Sequence, residues 1–455
     1  MSALTRTAIA QQPAPVTSAK PTKTVSDLPI APPIPKRSIP NYDGRPPPQV
    51  TAAEQALWIP RAIFFPLYLT TEYLLRRPIG WLVSVSEKYA IPLRVIDFFS
   101  FGENRKGMIL PTLFADFGLR PSVGIYFRLN DEPVEGNDIR VHAATWGEHW
   151  LHLIVTDRFT FQPGARAVLR VEGTRRADHQ FAGIGPLSGA NHLSRYTADQ
   201  LDATVSVEWS KVWRGSRVTT LTGVRALGFP EQLDCCIEPL LESLIRYGTL
   251  PSPPGFKKEL RIVRQQVEVE MDSRDDNARS GLGFRAETYG ELAFGISDTI
   301  AHRWVKWGAA AGAFLDLTGE RRTVGLLAAV DLVHPLGSEN VPFTELVSLG
   351  GEGLLRSFVP GRLRGESGVA AGVEYRWPTW VWLDGLAYLS VGNVLGPQFS
   401  NFSPSIMRAA FGIGLRTRGL LDNSFEFTVG GGTDPFEQGG KVTAFRFTLG
   451  TAPRF

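Results

Sequence analysis

The chain has 455 residues, of which 43% are hydrophobic and only 20% charged, with a formal net charge of +3. Its basic residues are spread along the sequence, which argues against a nucleic-acid-binding surface. No stretch approaches the roughly 18 uninterrupted apolar residues of a membrane helix, so helical membrane spans are excluded. The 46 glycines and the aromatic share of 11% favour an all-β protein.

Residues 1–50 are dominated by Pro, Ala, Ser and Thr, including the run Pro46-Pro47-Pro48. Such a composition cannot bury enough apolar surface to fold. We therefore predict a disordered, Pro-rich tail for residues 1–50.

Residues 51–108 read as an amphipathic helical segment, with pieces at 52–59, 63–75 and 79–89 interrupted by prolines. Trp58, Tyr73 and Trp81 are side chains that favour a water–lipid boundary. The segment is therefore either an interfacial anchor or a cap under the following domain. An ordinary packed linker helix is the alternative.

From residue 109 onward the hydrophobic period becomes two. In the segment 201–209, Leu201, Val205 and Trp209 fall on one face, whereas Asp202 and Glu208 fall on the other. We predict strands at 109–117, 121–130, 138–147, 150–161, 164–176, 198–211, 215–226, 260–272, 281–295, 300–316, 321–333, 367–377, 380–391, 405–418, 421–431 and 441–450.

The links between these strands alternate in length. The long ones, 177–197, 227–259, 334–366, 392–404 and 432–440, are all odd-numbered, which is typical of an up-and-down barrel in a membrane and has no reason to occur in a soluble sandwich. Residues 109–455 are therefore predicted to form a 16-stranded antiparallel transmembrane β-barrel, although one miscounted hairpin would give fourteen or eighteen strands. A closed barrel leaves no unpaired strand edge in lipid.

The last strand alternates through Phe445 and Phe447, and the chain ends on Phe455. Outer-membrane proteins commonly end this way, so we take these residues as a C-terminal strand signal. The predicted location is the bacterial outer membrane, with its lipid as a partner.

Little in the sequence indicates catalysis, a cofactor or a metal site. Cys235 and Cys236 are adjacent, and because a disulfide between neighbours is strained, we expect an unlinked pair in an exported protein's loop. Gly183 and Gly185 are followed by no helix that would complete a dinucleotide site. His149 and His152 have no Ser or Cys in a nucleophile elbow, so an outer-membrane enzyme is only a third option.

The long link before the last five strands contains Gly350-Gly351 and then Leu355-Arg356-Ser357-Phe358. An arginine on a loop that folds back into the barrel would be costly to leave unpaired, so it should find carboxylates or carbonyls there. In strand 367–377 the predicted inward set includes Glu374 and Arg376.

These segments resemble the BamA/TamA-type outer-membrane assembly superfamily, also called the bacterial surface antigen family. The family has a Gly-Gly, a Val-Arg-Gly-Phe/Tyr core and then Glu-Tyr-Arg-x-Pro; similar here are Gly350-Gly351, the core ending in Phe358, and Glu374-Tyr375-Arg376-Trp377-Pro378. The resemblance spans about 109–455. It implies a barrel with a conserved loop folded into its lumen.

The resemblance also implies roles for individual residues. Arg356 would be the lumen-loop arginine, Phe358 its aromatic partner, and Glu374 the wall carboxylate that accepts its hydrogen bonds. Ser357 replaces the usual glycine and Ser390 stands where the family has a wall aspartate, a loss for which Asp384 could compensate. Alternatively, Arg356 only staples a loop that keeps the barrel closed.

Members of that family that insert or translocate proteins carry POTRA modules ahead of the barrel, and residues 1–108 resemble none. The first functional hypothesis is a barrel that assists insertion or export of protein or lipid through a weak seam between strands 109–117 and 441–450, with a periplasmic partner supplying the POTRA-like function. The second is a passive channel or structural barrel plugged by loop 334–366.

Overall fold

The chain divides into two units, Met1–Val85 and Ser86–Phe455. The structure, a computed structural model, describes Phe65, Tyr73, Arg94 and the ranges 77–89, 97–116, 119–189, 192–210, 212–213, 215–274, 282–296, 302–317, 322–380, 383–417 and 423–453.

The N-terminal part of the chain contributes one helix to the described residues, α1 at Arg77–Lys88. It overlaps the predicted piece 79–89 and begins one residue before Pro78, a position where the missing proline N–H costs no helical hydrogen bond. The guanidinium of Arg77 lies 4.2 Å from the ring centre of Tyr73. The predicted tail 1–50 and the piece 52–59 lie outside the described residues, as does 63–75 apart from Phe65 and Tyr73. Among the helices that are described, none has the length and apolar character needed to cross a membrane.

The second unit is built from sixteen long strands. In chain order they are β1 Gly107–Asp116, β2 Ser122–Asn130, β3 Asn137–Thr145, β4 Trp150–Gln162, β5 Ala165–Phe181, β6 Ser194–Ser210, β7 Ser216–Gly228, β8 Leu260–Asp272, β9 Gly283–Gly295, β10 Arg303–Asp316, β11 Thr323–Pro335, β12 Ser367–Trp380, β13 Leu383–Leu395, β14 Arg408–Thr417, β15 Asn423–Thr433 and β16 Val442–Pro453.

Each strand pairs antiparallel with the next along the chain, and β16 pairs with β1. The sheet therefore closes on itself, and the prediction of a 16-stranded antiparallel barrel is confirmed. Three further strands are short: Ser100–Phe101, which pairs with the start of β1, and Val347–Leu349 with Leu363–Gly365, which pair with each other. A second helix, α2, spans Leu241–Arg246.

The two faces of the barrel wall differ as the period-two pattern predicts. On β6, the apolar Leu201 and Val205 are 53% and 54% exposed, whereas the polar Asp202 and Thr204 are 8% and 7% exposed. An apolar outer face and a polar inner face are what a barrel needs when lipid surrounds it.

Link length differs between the two ends of the barrel. The four longest links, 182–193, 229–259, 336–366 and 396–407, all lie at the same end, which we call the long-loop end. Both β1 and β16 have their outer termini at the opposite, short-turn end. This segregation follows the prediction from the sequence.

The largest apolar cluster lies beneath the long loops. The cluster contains Phe343, Tyr196 and Phe256, together with side chains from the long-loop ends of the neighbouring strands. Phe343 is fully buried. The ring centres of Tyr196 and Phe343 are 5.2 Å apart. This cluster fixes the base of link 336–366, which we call the lumen loop.

Cys235 and Cys236 form a disulfide in link 229–259, with their Cα atoms 3.7 Å apart. The expectation of an unlinked pair is therefore wrong. The pair lies in a link, where the backbone is bound by no strand ladder and can bring adjacent sulfurs together. Arg120 donates to the carbonyl of Cys235 at 3.0 Å, and the Cys235 sulfur lies 3.2 Å from the carbonyl of Ala177.

Candidate functional site

The tip of the lumen loop is a tight turn that depends on two glycines. Gly350 and Gly351 have φ angles of 118° and 68°, which side chains of L-residues rarely adopt. The amide of Gly351 donates to the carbonyl of Phe358 at 2.8 Å, and a Cβ on Gly350 would come within 2.7 Å of the same oxygen. The glycine pair singled out in the sequence therefore closes the segment that carries Arg356.

Phe358 is fully buried between the loop and the barrel wall. It clusters with Leu355 and Leu363 of the same loop and with Val394 of β13. On β15, a Cβ added to Gly432 would lie 2.6 Å from the Phe358 ring. The absence of a side chain at position 432 therefore makes the space that holds this ring.

We expect Gly432→Ala to displace Phe358 and to destabilise loop docking by about 1–3 kcal/mol, the usual cost of overpacking a filled site. The measurement is the temperature at which the folded, fast-migrating gel band converts to the unfolded one. Gly290→Ala on β9 is the matched control, because nothing lies within 4 Å of its added Cβ. Equal conversion temperatures for the two variants would contradict this account of the pocket.

Arg356 forms an ion pair with the barrel wall. Its Nη2 lies 2.6 Å from Oε2 of Glu374 on β12, and the two side chains are 14% and 3% exposed. Arg376, two residues further along β12, also pairs with Glu374. The Arg356 guanidinium lies 5.4 Å from the ring centre of Tyr388 on β13. One buried carboxylate is thus shared by a loop arginine and a wall arginine.

Ser357 and Ser390 occupy the two positions at which the sequence departs from the family pattern. The Ser357 hydroxyl lies 3.1 Å from the Tyr388 hydroxyl and donates to the carbonyl of Phe411 at 3.1 Å. The Ser390 hydroxyl on β13 donates to the carbonyl of Leu354 in the loop. Both serines therefore hold the loop against the wall by neutral hydrogen bonds. They do not supply a second acid.

Asp384 lies on the same strand as Ser390 but closer to the short-turn end. It stands opposite Pro378 of β12 and Arg416 of β14. Ser390, in contrast, stands opposite Gly372 and Ala410, at the level of the loop. Compensation by Asp384 for the missing wall aspartate stays a prediction.

A second ion-pair anchor holds the beginning of the lumen loop. Glu345, which is 3% exposed, pairs with Arg225 of β7 at 2.9 Å. Arg225 also pairs with Asp202 of β6 at 2.7 Å, and Asp202 pairs with Arg264 of β8 at 2.9 Å. Burial alone would raise the pKa of the Glu345 carboxyl, but the nearby cations, with Arg225 foremost, hold that pKa below its usual value. Sequence reasoning did not find this anchor.

The two anchors are far apart on the barrel wall. Glu345 is held by β7, whereas Arg356 is held by β12 and packs on β13. In a closed cylinder of sixteen strands, β7 and β12 are separated by four strands on one side and ten on the other. The lumen loop therefore crosses the interior between two fixed points.

The seam between β16 and β1 is the shortest strand pairing in the barrel. Among the described residues, it aligns only Thr448 with Asp116, Leu449 with Ala115, and Gly450 with Phe114. Each other pair of neighbouring barrel strands aligns at least seven residues, the number for β14 with β15. The seam therefore has fewer backbone hydrogen bonds to hold it than any other junction in this part of the chain.

Arg446 bridges this seam from β16. Its Nε and Nη2 donate to the carboxylate of Asp116 on β1, at 2.8 and 2.6 Å, and both side chains are almost fully buried. Its Nη1 donates to the carbonyls of Arg356, at 2.8 Å, and of Gly351. A single guanidinium therefore joins both sides of the seam to the tip of the lumen loop.

Sequence reasoning missed Arg446, although a signal was present. Arg446 lies between Phe445 and Phe447, and alternation along the strand points it inward. Phe445 is 55% exposed on the outer face, and Phe447 packs edge-to-face on Phe427 with ring centres 5.4 Å apart. Phe455, the third residue of the predicted C-terminal signal, lies outside the described residues. The role of the three phenylalanines as a signal stays a prediction.

Comparison with known proteins identifies a family domain in the C-terminal part of the barrel. Residues 257–452 match the Omp85 superfamily domain. Among curated proteins, no sequence matches this chain.

Several solved structures are similar to this barrel. BamA from Haemophilus ducreyi lacking POTRA domains 1–3 is 14% identical, with a TM-score of 0.54 over 76% of this chain and 70% of that one. CdiB from Acinetobacter baumannii is 12% identical, with a TM-score of 0.47 over 76% of this chain and 60% of that one. CdiB from Escherichia coli is 12% identical, with a TM-score of 0.46 over 75% and 62%.

The similarity to BamA at this identity shows a shared fold. The domain match covers the strands from β8 to β16 and the whole lumen loop, which is the part of the chain that carries Arg356, Glu374 and Arg446. The chain is therefore an outer-membrane β-barrel whose residues 257–452 match the Omp85 superfamily domain.

Proposed function

We propose that this barrel assists the insertion or translocation of proteins, or of lipid, at the outer membrane by opening the seam between β16 and β1. The observation that carries the proposal is the seam itself, with its three aligned residue pairs and the Asp116–Arg446 ion pair. Few backbone hydrogen bonds would have to break to part these strands. The match of residues 257–452 to the Omp85 superfamily domain supports the same function.

The lumen loop supports this proposal because it crosses the interior between two anchors. The docked loop occupies part of the lumen and leaves less space for a substrate to pass through the barrel. A route through the barrel wall, at the seam, is therefore the easier one for a substrate. Arg446 contacts the loop tip and the seam at once. A movement of the loop tip would therefore change the contacts at the seam, and opening of the seam would change the contacts of the loop tip.

Delivery of a substrate requires a second component in this proposal. We propose a periplasmic partner that supplies a POTRA-like function. The short-turn end, where β1 begins and β16 ends, is the side from which such a partner would approach. Copurification from cross-linked membranes, with the short-turn end as the cross-linked site, would test for it.

The decisive experiment locks the seam. We expect Ala115→Cys with Leu449→Cys, which stand opposite each other, to form a disulfide that abolishes assisted insertion and to lose the block on reduction. The probe is a urea-unfolded, eight-stranded outer-membrane protein added to liposomes that contain the barrel. The folded fraction of that protein is followed by heat-modifiable migration.

The matched control locks a junction that should not open. Leu389→Cys with Phe411→Cys joins β13 to β14 across an equally antiparallel pair, and both native side chains lie exposed on the outer face. We expect this lock to leave insertion unchanged. If the seam lock and the control lock give the same insertion rate, or if the wild-type barrel does not exceed empty liposomes, the proposed function is wrong.

A passive channel is the second candidate, and the charged wall favours it. Pairs such as Arg416–Glu426, at 2.9 Å, and Arg166–Glu208 line the interior with polar groups. Steady, ion-selective conductance of the intact barrel in a planar bilayer would support this candidate. Conductance that appears only after the segment 350–358 is deleted would instead support a closed barrel with a docked loop.

A further inference from the structure

Two buried arginines lie at the long-loop end and belong to neither anchor of the lumen loop. Arg362 follows the loop tip and is 4% exposed, and Arg408 begins β14 and is fully buried. Phe358, four residues before Arg362, packs against Gly432 of β15, and Arg408 pairs with Asp434, two residues beyond Gly432. Two guanidinium groups in a common buried site repel one another unless anions surround them.

Arg408 is only partly provided with hydrogen-bond acceptors. Its Nη2 donates to the carbonyls of Ser188 and Pro186 at 2.6 and 3.1 Å, and its Nη1 lies 3.5 Å from the carboxylate of Asp434. Its Nε is buried and has no hydrogen-bond partner among the described residues. Arg408 thus holds the loop 182–189 in place and keeps one N–H group free.

Arg362 has fewer hydrogen-bond acceptors than Arg408 among the described residues. Its Nε and Nη2 are both buried without a hydrogen-bond partner in the part of the chain that the structure describes. The carboxylates that face it are Asp434, which it shares with Arg408, and Glu238, which already pairs with Arg195 at 3.0 Å. Burial lowers the pKa of the Arg362 guanidinium, as expected where a cation lacks sufficient counter-charge.

The charge around these two arginines is therefore incomplete. Asp434 is the one carboxylate that faces both guanidinium groups without a closer ion pair of its own among the described residues. One positive charge remains to be balanced, and the N–H groups of three nitrogen atoms have no acceptor among the described residues. An uncompensated buried cation is costly. A bound anion would supply both the missing negative charge and the missing hydrogen-bond acceptors.

We propose that Arg362 and Arg408 form a binding site for a phosphate group at the long-loop end of the barrel. Guanidinium groups present planar sets of N–H donors that match the oxygens of a phosphate, and two of them can approach it from different sides. The hydroxyl of Ser188, which is buried and has no partner among the described residues, is a further donor beside Arg408. The site is independent of the seam and of the proposed insertion function.

A cavity adjoins the loop 182–189 that Arg408 holds. Its volume is about 700 Å³, and its lining includes Phe181, the segment from Gly183 to Ser188, and Pro251–Pro254. Ser188, whose carbonyl accepts from Arg408, forms part of that lining. The cavity lies among the long loops, so the phosphate could come from solution or from the headgroup of an outer-leaflet glycolipid. Both sources present the same chemistry to the arginines.

The test measures binding to the purified full chain in detergent. We expect saturable binding of inorganic phosphate by calorimetry at constant ionic strength, together with a higher temperature of conversion from the folded to the unfolded gel band. Arg362→Gln should weaken binding at least tenfold. Arg261→Gln should bind as the wild type does, because Arg261 is 58% exposed and pairs with Glu259 at the same end of the barrel.

A second arm distinguishes the source of the phosphate. Native mass spectrometry would compare retention of bisphosphorylated lipid A with that of its dephosphorylated form. Phosphate-dependent retention that Arg362→Gln removes assigns a lipid headgroup, and binding of inorganic phosphate alone assigns a free ion. The proposal is overturned if the wild type binds neither, which would leave ordered water around Arg362, or if Arg362→Gln binds as tightly as the wild type. Should Arg362→Gln fail to fold, the wild-type binding measurements still decide between these outcomes.

Discussion

Glu374→Gln is expected to release the tip of the lumen loop from the barrel wall. The substitution leaves Arg356 and Arg376 facing each other in a buried site without the carboxylate that both now share. Removing one partner of a buried ion pair costs about 3–5 kcal/mol, because the remaining charge stays desolvated. A loss of this size exceeds the stabilisation from the neutral hydrogen bonds of Ser357 and Ser390, which would still hold the loop.

Two measurements report on that release. The temperature of conversion between the folded and unfolded gel bands should fall, and planar-bilayer recordings should show ion flow that the wild type lacks. Glu208→Gln is the control, since Glu208 is 15% exposed and pairs with the more exposed Arg166 at the short-turn end. If both variants give the same conductance and the same conversion temperature, Glu374 does not hold the loop.

The barrel itself could be predicted almost completely from the sequence. On a strand such as Leu201–Trp209, one face meets lipid and must be apolar, whereas the other faces the lumen and is polar. The alternation is therefore visible in the local sequence. Strand ends were less well predicted. β5 extends to Phe181, and β6 begins at Ser194, each several residues beyond the predicted limit. At this end both neighbouring positions, such as Tyr196 and Thr197, are buried, so the alternation that marks a strand in the sequence is lost.

The contacts of the lumen loop were predictable only in part. Arg356 and Glu374 lie within motifs that resemble the family pattern, and this resemblance implied their contact. Glu345 with Arg225, and Arg446 with Asp116, join residues that are 120 and 330 positions apart. Such pairs depend on closure of the cylinder, since no local pattern records which strand will lie opposite a loop.

The vicinal disulfide shows a different limit of sequence reasoning. The cost of closing a small ring, which disfavours a Cys235–Cys236 bond, is a property of the two residues alone. In the structure, both ends of that ring are held by neighbours: Arg120 contacts the Cys235 carbonyl, and Ala177 contacts its sulfur. Tertiary contacts thus favour a local geometry that the isolated dipeptide disfavours.

Arg446→Ala is expected to have the other large effect, because it removes contacts at the seam and at the loop together. Asp116 would remain buried on β1 without its cation, a loss of about 3 kcal/mol or more. The carbonyls of Gly351 and Arg356 would also lose their donor. We therefore expect both a lower conversion temperature and a more readily opened seam. Opening of the seam would be seen as faster thiol–disulfide exchange between Ala115→Cys and a soluble aromatic disulfide, followed by the absorbance of the thiolate that the reagent releases.

A double-mutant cycle separates the two contributions of Arg446. If Arg446 acted only across the seam, Asp116→Ala would be as harmful as Arg446→Ala, and the double variant would be no worse than either. Because Arg446 also holds the loop tip, we expect Arg446→Ala to increase bilayer conductance while Asp116→Ala alone leaves it near the wild-type level. Arg416→Ala on β14 is the control, since its guanidinium pairs with Glu426. Equal conductance of the Arg446 and Asp116 variants would show that the seam and the loop are not coupled through this side chain.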